Sequence, residues 1–211
     1  MIRRIPLCLT VLLLIVTTAV TAAAATSATD TIRQTVDTVL NIIKRPEMHD
    51  PAKKPALRQE AENLIKSICD FNEFSARTVG PKWRSFTDDQ KKRFEDAFAD
   101  LIRATYIEKL DAYSGEKVDF TNEIKSSKGD KVEVQSVIQL KDKVIPVSYR
   151  LLDKNGQWKV YDVRIENVSM IENYRGQFKD ILLRGDAEEL IKKVEEKSRD
   201  VENSSNTAKP Q

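Results

Sequence analysis

The chain reads as an α+β protein: a four-stranded antiparallel meander sheet packed by N-terminal and C-terminal helices. Three observations predict this class. Apolar residues recur at helical spacing up to Tyr106, alternate with polar ones from Val118 to Ile165, and return to helical spacing from Ile171. The breaks between the alternating runs are short, so consecutive strands pair as hairpins. No helix-length stretch separates them, which leaves the helices to the two ends.

Thr29 or Asp30 is placed to cap a first helix whose apolar face is Ile32, Val36, Val39, Leu40 and Ile43. Pro46 to Pro55, with three prolines and mixed charge, reads as a surface loop. Pro55 then opens a second helix, where its missing N–H is harmless, with Leu57, Ala61, Leu64, Ile65 and Ile68 on one face. Phe71, Phe74 and Val79 predict a short third helix stopped by Gly80 and Pro81. Thr87 and Gln90 form a capping box for a long fourth helix striped by Phe94, Ala97, Phe98, Leu101, Ile102, Tyr106 and Leu110.

Beyond Tyr113, Ser114 and Gly115 the period becomes two. Val118, Phe120 and Ile124 are expected on one face, against Asp119, Thr121 and Glu123 on the other. Val132, Val134, Ile138 and Leu140 line the second strand, and Ile145, Val147, Tyr149 and Leu151 the third. Asn155 and Gly156 signal a tight hairpin into a fourth strand, Trp158 to Ile165. That strand is apolar on both sides: Trp158 and Val160 one way, Tyr161, Val163 and Ile165 the other, so it is expected to be covered twice. Ser169 and Glu172 cap a helix striped by Ile171, Tyr174, Phe178, Ile181 and Leu182. Gly185 ends it, and Asp186 caps a last helix with Leu190, Ile191 and Val194. From Ser198 to Gln211 the chain is polar and is expected to be a disordered tail.

Residues 1–25 have the pattern of a cleaved signal peptide. Arg3 and Arg4 precede an apolar run from Ile5 to Val20, and Ala22 to Ala25 offer the small residues of a cleavage site. The run is short for a bilayer span and lacks a basic stop-transfer flank. Cys8 lies too early, without small residues before it, to be a lipid attachment site. The expected product is an exported, periplasmic, soluble single domain over residues 26–197. Loss of Arg3 and Arg4 brings 35 Lys+Arg level with 33 Asp+Glu, so no basic excess draws the protein to nucleic acid or an anionic membrane surface. Only Cys69 survives cleavage, which excludes an intrachain disulfide; among Leu64, Ile65 and Ile68 it reads as a buried structural cysteine.

Catalytic chemistry is scarce. His49 is the single histidine and lies in the proline-rich loop, so no multi-histidine metal site is possible. No nucleophile elbow, HExxH or glycine-rich phosphate loop is present. Asp162 and Glu166 stand near one another, but the plainer expectation is that Asp162 satisfies backbone donors at the corner and Glu166 is solvated. The chain is therefore expected not to be an enzyme, and to need no cofactor or metal.

Two segments carry a family resemblance. "WKVYDVRIENVSMIENYRGQF" resembles the closing signature of the MlaC family, also called the toluene-tolerance auxiliary family, at Trp158, Tyr161 to Val163, Val168 with Ser169, Asn173 to Arg175, and Gln177 with Phe178. "FNEFSARTVGPKWRSFTDDQKKRFEDAFADLIRATY", Phe71 to Tyr106, is similar to the family's upstream segment and supplies the G-x-x-W of Gly80 to Trp83. Asn167 stands where the family usually has glycine; asparagine is the side chain that best tolerates positive φ, so the corner is expected to be kept.

The resemblance implies a periplasmic phospholipid-binding protein of the ABC-type system that maintains outer-membrane lipid asymmetry. Its implied cargo is a phospholipid, and its implied partners are an inner-membrane ABC transporter complex and an outer-membrane lipoprotein complex, with the chain a monomer. A related branch is associated with hopanoid synthesis, so a carrier for another apolar lipid is one alternative and a non-lipid-binding envelope interaction protein is another. The resemblance also implies an apolar lipid cavity between sheet and helices. Its expected lining is Leu101, Tyr106, Val147, Tyr149, Tyr161, Val163, Val168, Ile171, Tyr174 and Phe178, each of which taken singly reads as core.

Overall fold

The computed structural model describes residues 26–111 and 113–207. The expected leader, Cys8 included, and the last four residues of the expected tail lie outside the described residues, as does the side chain of Leu110. No described helix is long and apolar enough to cross a membrane.

The first helix, α1 (Ala28–Ile43), starts before the expected cap at Thr29 or Asp30. Its cap is Ser27, whose Oγ accepts from Asp30 N at 3.0 Å, and Ala28 in its first turn is buried with the sheet cluster. A single 3₁₀ turn, Pro46–His49, buries Met48 in the proline-rich stretch and leads to α2 (Lys54–Ile68). After α2, Cys69 turns extended and bridges to Val160, while Asp70 caps α3 (Phe71–Val79) by accepting from Glu73 N at 3.0 Å. Cys69 thus leaves the apolar helix face on which the sequence places it. Gly80 ends α3 at φ 76, ψ −145, and a 3₁₀ segment carries Trp83 into the core. The predicted Thr87–Gln90 capping box starts α4 (Asp88–Asp111), with reciprocal bonds of 3.0 and 3.2 Å.

The sheet is a meander of β1 (Lys117–Lys125), β2 (Lys131–Gln139), β3 (Val144–Lys154) and β4 (Gln157–Ile165), with each strand antiparallel to the next. It has five strands rather than four. Val168–Ser169 forms a two-residue β5 on β4, because Glu166 (φ 50) and Asn167 (φ 67) turn the chain back within two residues. Helix α5 (Met170–Arg184) follows, capped by Ser169 as expected. Helix α6 (Ala187–Thr207) is capped by Asp186, which accepts from Glu189 N at 3.0 Å.

The expected tail is a second correction: α6 continues through Thr207. Ser198 is buried, Val201 packs on the helical core, and Glu202 pairs with Arg103 of α4, so tertiary contact holds a segment whose polar composition suggests none.

Two bulges overturn the expected sidedness of two strands. In β1 the register shifts between Phe120 and Asn122, which makes Thr121 an extra residue. Ile124 then pairs with Glu133 and is exposed, while Glu123 pairs with Val134 on the inner face. In β4 the register shifts at Tyr161, so Val160 opposes Leu151 and Val163 opposes Tyr149. Val160 and Val163 therefore share the inner face, and the double apolarity of this strand arises largely from the bulge.

The core divides into clusters. The largest joins α3, the Trp83 segment, α4, α5 and α6 around Phe74, Phe94, Phe98, Tyr174 and Phe178. Its rings meet edge to face, as at Phe98–Tyr174 (5.1 Å) and Phe94–Phe178 (5.7 Å). A second cluster sets Ala28 and Ile32 of α1 against Val132, Val134, Leu151 and Val160. A third holds α1 to α2 through Val39, Ile42 and Ala61.

Candidate functional site

Nine of the ten residues expected to line a lipid site fall into three settings. Leu101, Ile171, Tyr174 and Phe178 are buried in the helical cluster. Val147 is buried on the inner sheet face, with Tyr149 half-buried beside the sheet cluster. Tyr106, Tyr161 and Val163 are half-buried at the margin of the helical cluster. Val168 is 59% exposed and stands apart: it lies on β5, at the sheet edge, where no helix covers it.

Val163 packs against both the helical and the sheet clusters. It marks a seam between them; Ile102 and Tyr106 of α4 and Ile165 of β4 are half-buried on the helical side, and Phe120 of β1 on the sheet side. Ile102, Ile165, Thr105 and Phe120 are missing from the expected lining. The signal for the first was present, since Ile102 and Tyr106 are four apart on one helix face. Ser136 was legible too: it occupies an inward position of β2, is buried, and donates to Val147 O at 3.1 Å.

The seam carries phenols and hydroxyls, and guanidinium groups border it, Arg33 at 4.6 Å over Phe120 and Arg77 at 4.4 Å over Tyr161. Thr105 Oγ lies 3.5 Å from Tyr174 Oη. Burial pushes the Tyr149 and Tyr174 phenols up; burial and then Tyr174 do the same to Tyr106. All three are neutral donors at any physiological pH. The Arg150 network lies on the other face of the sheet, where Arg150 meets Glu133 at 3.1 Å and Asp162 at 3.3 Å.

Asp162 is fully buried and committed to structure. It accepts from Ser169 Oγ at 2.7 Å and from Ile171 N at 3.2 Å, which ties β4 to the first turn of α5. Glu166 is on the exposed turn, 3.5 Å from Lys143. The two carboxylates are thus occupied separately, as the sequence suggests. Shallow grooves lie elsewhere, one between α5 and α6 over Phe178 and Ile181, the other beside Trp158 at the start of α1.

Residues 33–196, which run from α1 into α6, match the family model described as MlaC protein. The chain belongs to the MlaC family. Within the range of MlaC-like proteins it is 24% identical, over 78% of its length and 79% of the relative's, to the intermembrane phospholipid transport system binding protein MlaC of Haemophilus influenzae. It is 23% identical to the toluene tolerance protein ttg2D of Pseudomonas putida, over 74% of this chain and 73% of that one. Among solved structures it is similar to the phospholipid-binding protein of Ralstonia solanacearum in complex with a phospholipid. That match has a TM-score of 0.73 and 26% identity, over 83% of this chain and 98% of the other. The MlaC fold is therefore shared at nearly full length with a chain that was solved holding a lipid.

Proposed function

We propose that this protein is a periplasmic phospholipid carrier, exported by cleavage of residues 1–25, that shuttles lipid between an inner-membrane ABC transporter and an outer-membrane partner. The observation that carries the reading is the fold shared with the Ralstonia solanacearum phospholipid complex over 98% of that chain. The seam around Val163 supplies the physics. A diacyl lipid crosses water only if its tails are sheathed, and each buried methylene contributes about 0.8 kcal/mol. Half-buried Tyr106, Tyr161, Ile165 and Val163 offer such a sheath. Cargo release needs no chemistry from this chain; any ATP is spent by the transporter.

The test is extraction of the purified exported protein with organic solvent and mass spectrometry of the extract. Phospholipid at near-equal molar ratio is expected; a polycyclic triterpenoid would reassign the cargo, and an empty protein would remove the carrier reading. Val163→Asp separates seam from core. A carboxylate in an apolar lining regains hydration if water enters an emptied site, whereas in close-packed core it has no such relief. The expected variant is folded by circular dichroism and carries little lipid. An unfolded variant assigns Val163 to plain core, and a folded variant at full occupancy puts the lipid elsewhere.

A further inference from the structure

Tyr174 has a hydroxyl that the protein itself leaves poorly used. Its ring is fixed between Phe98, at 5.1 Å edge to face, and Phe178, at 5.7 Å, and the residue is 3% exposed. Among the described residues its hydroxyl meets one polar atom, Thr105 Oγ, at 3.5 Å. Thr105 spends its own proton on Leu101 O at 2.7 Å, so the phenol must be the donor in that long contact. O–H···O bonds normally close to about 2.7–2.8 Å, and buried tyrosines normally reach such a partner. Among the described residues, Tyr174 is a rigidly held donor whose one acceptor is distant.

The oxygen lies beside Thr105, and Thr105 and Tyr106 are half-buried. Tyr106, like Val163 and Ile165, packs at the margin of the helical cluster. An acceptor arriving in the seam would reach it. At this oxygen a phosphate finds no counter-charge: the groups beside it, Thr105 and Tyr106, are neutral, Arg175, next in sequence, is engaged with Arg77 O, and Arg77 and Arg33 stand on the Tyr161 and Phe120 rings. A neutral carbonyl has no such penalty.

We propose that the Tyr174 hydroxyl donates to an ester carbonyl of the bound lipid, so that the seam favours ester-linked over ether-linked chains. This rests on the lipid-carrier reading and adds a selectivity to it. The ester oxygen replaces the long Thr105 contact with a bond of normal length, and an ether-linked lipid has no carbonyl to offer there.

The experiment loads the delipidated full-length exported protein with equal amounts of dioleoyl phosphatidylglycerol and its di-O-oleyl ether analogue, then measures the bound ratio by mass spectrometry. The native protein is expected to favour the ester by about 3- to 10-fold, the equivalent of one neutral hydrogen bond. In Tyr174→Phe, which keeps the ring, the ratio is expected to fall to near one. In Thr105→Val the preference is expected to persist. Equal uptake by the native protein overturns the proposal whether or not the variants fold. So does a preference that survives in folded Tyr174→Phe, or one that disappears in folded Thr105→Val. Uptake of neither lipid by the native protein would instead remove the carrier reading on which the proposal stands.

Discussion

Asn167 holds φ 67 and Glu166 holds φ 50, so the turn between β4 and β5 has two consecutive left-handed residues without a glycine. Such a turn matches the twist of the strands it joins, and Asn tolerates it because its short polar side chain offsets the steric cost. Asn167→Gly is expected to stay within about 0.5 kcal/mol of the native protein, and Asn167→Val to lose roughly 1–2 kcal/mol, in denaturant unfolding. Equal stabilities of the two variants would show that the backbone relaxes out of this conformation. At Cys69, burial and then the adjacent Asp70 carboxylate push the thiol up to about 12. The expected behaviour of the folded protein at pH 8 is slow labelling by a thiol reagent, at a rate that rises only on unfolding. Rapid native-state labelling would place the sulfur at the surface. Positive φ at Asn167 was expected from the resemblance, which puts glycine there, together with the tolerance of asparagine for that conformation. The sequence could not identify Glu166, whose type argues against the conformation it adopts.

At the scale of elements, the bulge at Thr121 has a consequence for α1. It turns Glu123 inward, where its carboxylate accepts from Thr29 Oγ at 2.5 Å and Thr29 N at 3.2 Å, at the positive end of the helix. The Thr29 hydroxyl holds the Glu123 carboxyl below its ordinary 4.5, with Lys125 contributing and burial opposing. A lowered folded-state value means that the stabilisation is fully present above the unfolded value and disappears as pH falls through the folded one. Glu123→Gln is therefore expected to cost about 1 kcal/mol at neutral pH, as loss of a helix cap does. The difference from the native protein should shrink as the pH falls below 4.5. Stability curves that stay parallel through that acid range would show that Glu123 does not anchor α1. The capping boxes at Thr87 and Ser169 were legible because a cap is a local pattern of four residues. The Glu123–Thr29 contact joins residues 94 apart and depends on a bulge, so no window of sequence contains it.

For the molecule as a whole, the end of α6 decides how far the folded domain extends. Ser198, Val201 and Glu202 join the helix to α4, and the family match stops at residue 196, before them. Truncation after Lys197 is expected to cost about 1–2 kcal/mol, from part of one valine's burial together with an ion pair. Thermal melting checks this; an unchanged midpoint would return the segment to the status of a tail. The sequence by itself determined the α+β class, the order of the α-helices and the four long strands, the Asn155–Gly156 hairpin, the caps at Thr87, Ser169 and Asp186, and the family. Each of these rests on periodicity, turn chemistry or a contiguous motif, which act over a few residues. Tertiary structure alone decided which side of β1 and β4 faces inward, that Val168 is exposed, that α6 reaches Thr207, and that Val163 lies where two clusters meet. The physical reason is that one inserted residue in a strand reverses every side chain beyond it, and that burial is a property of what packs on a residue.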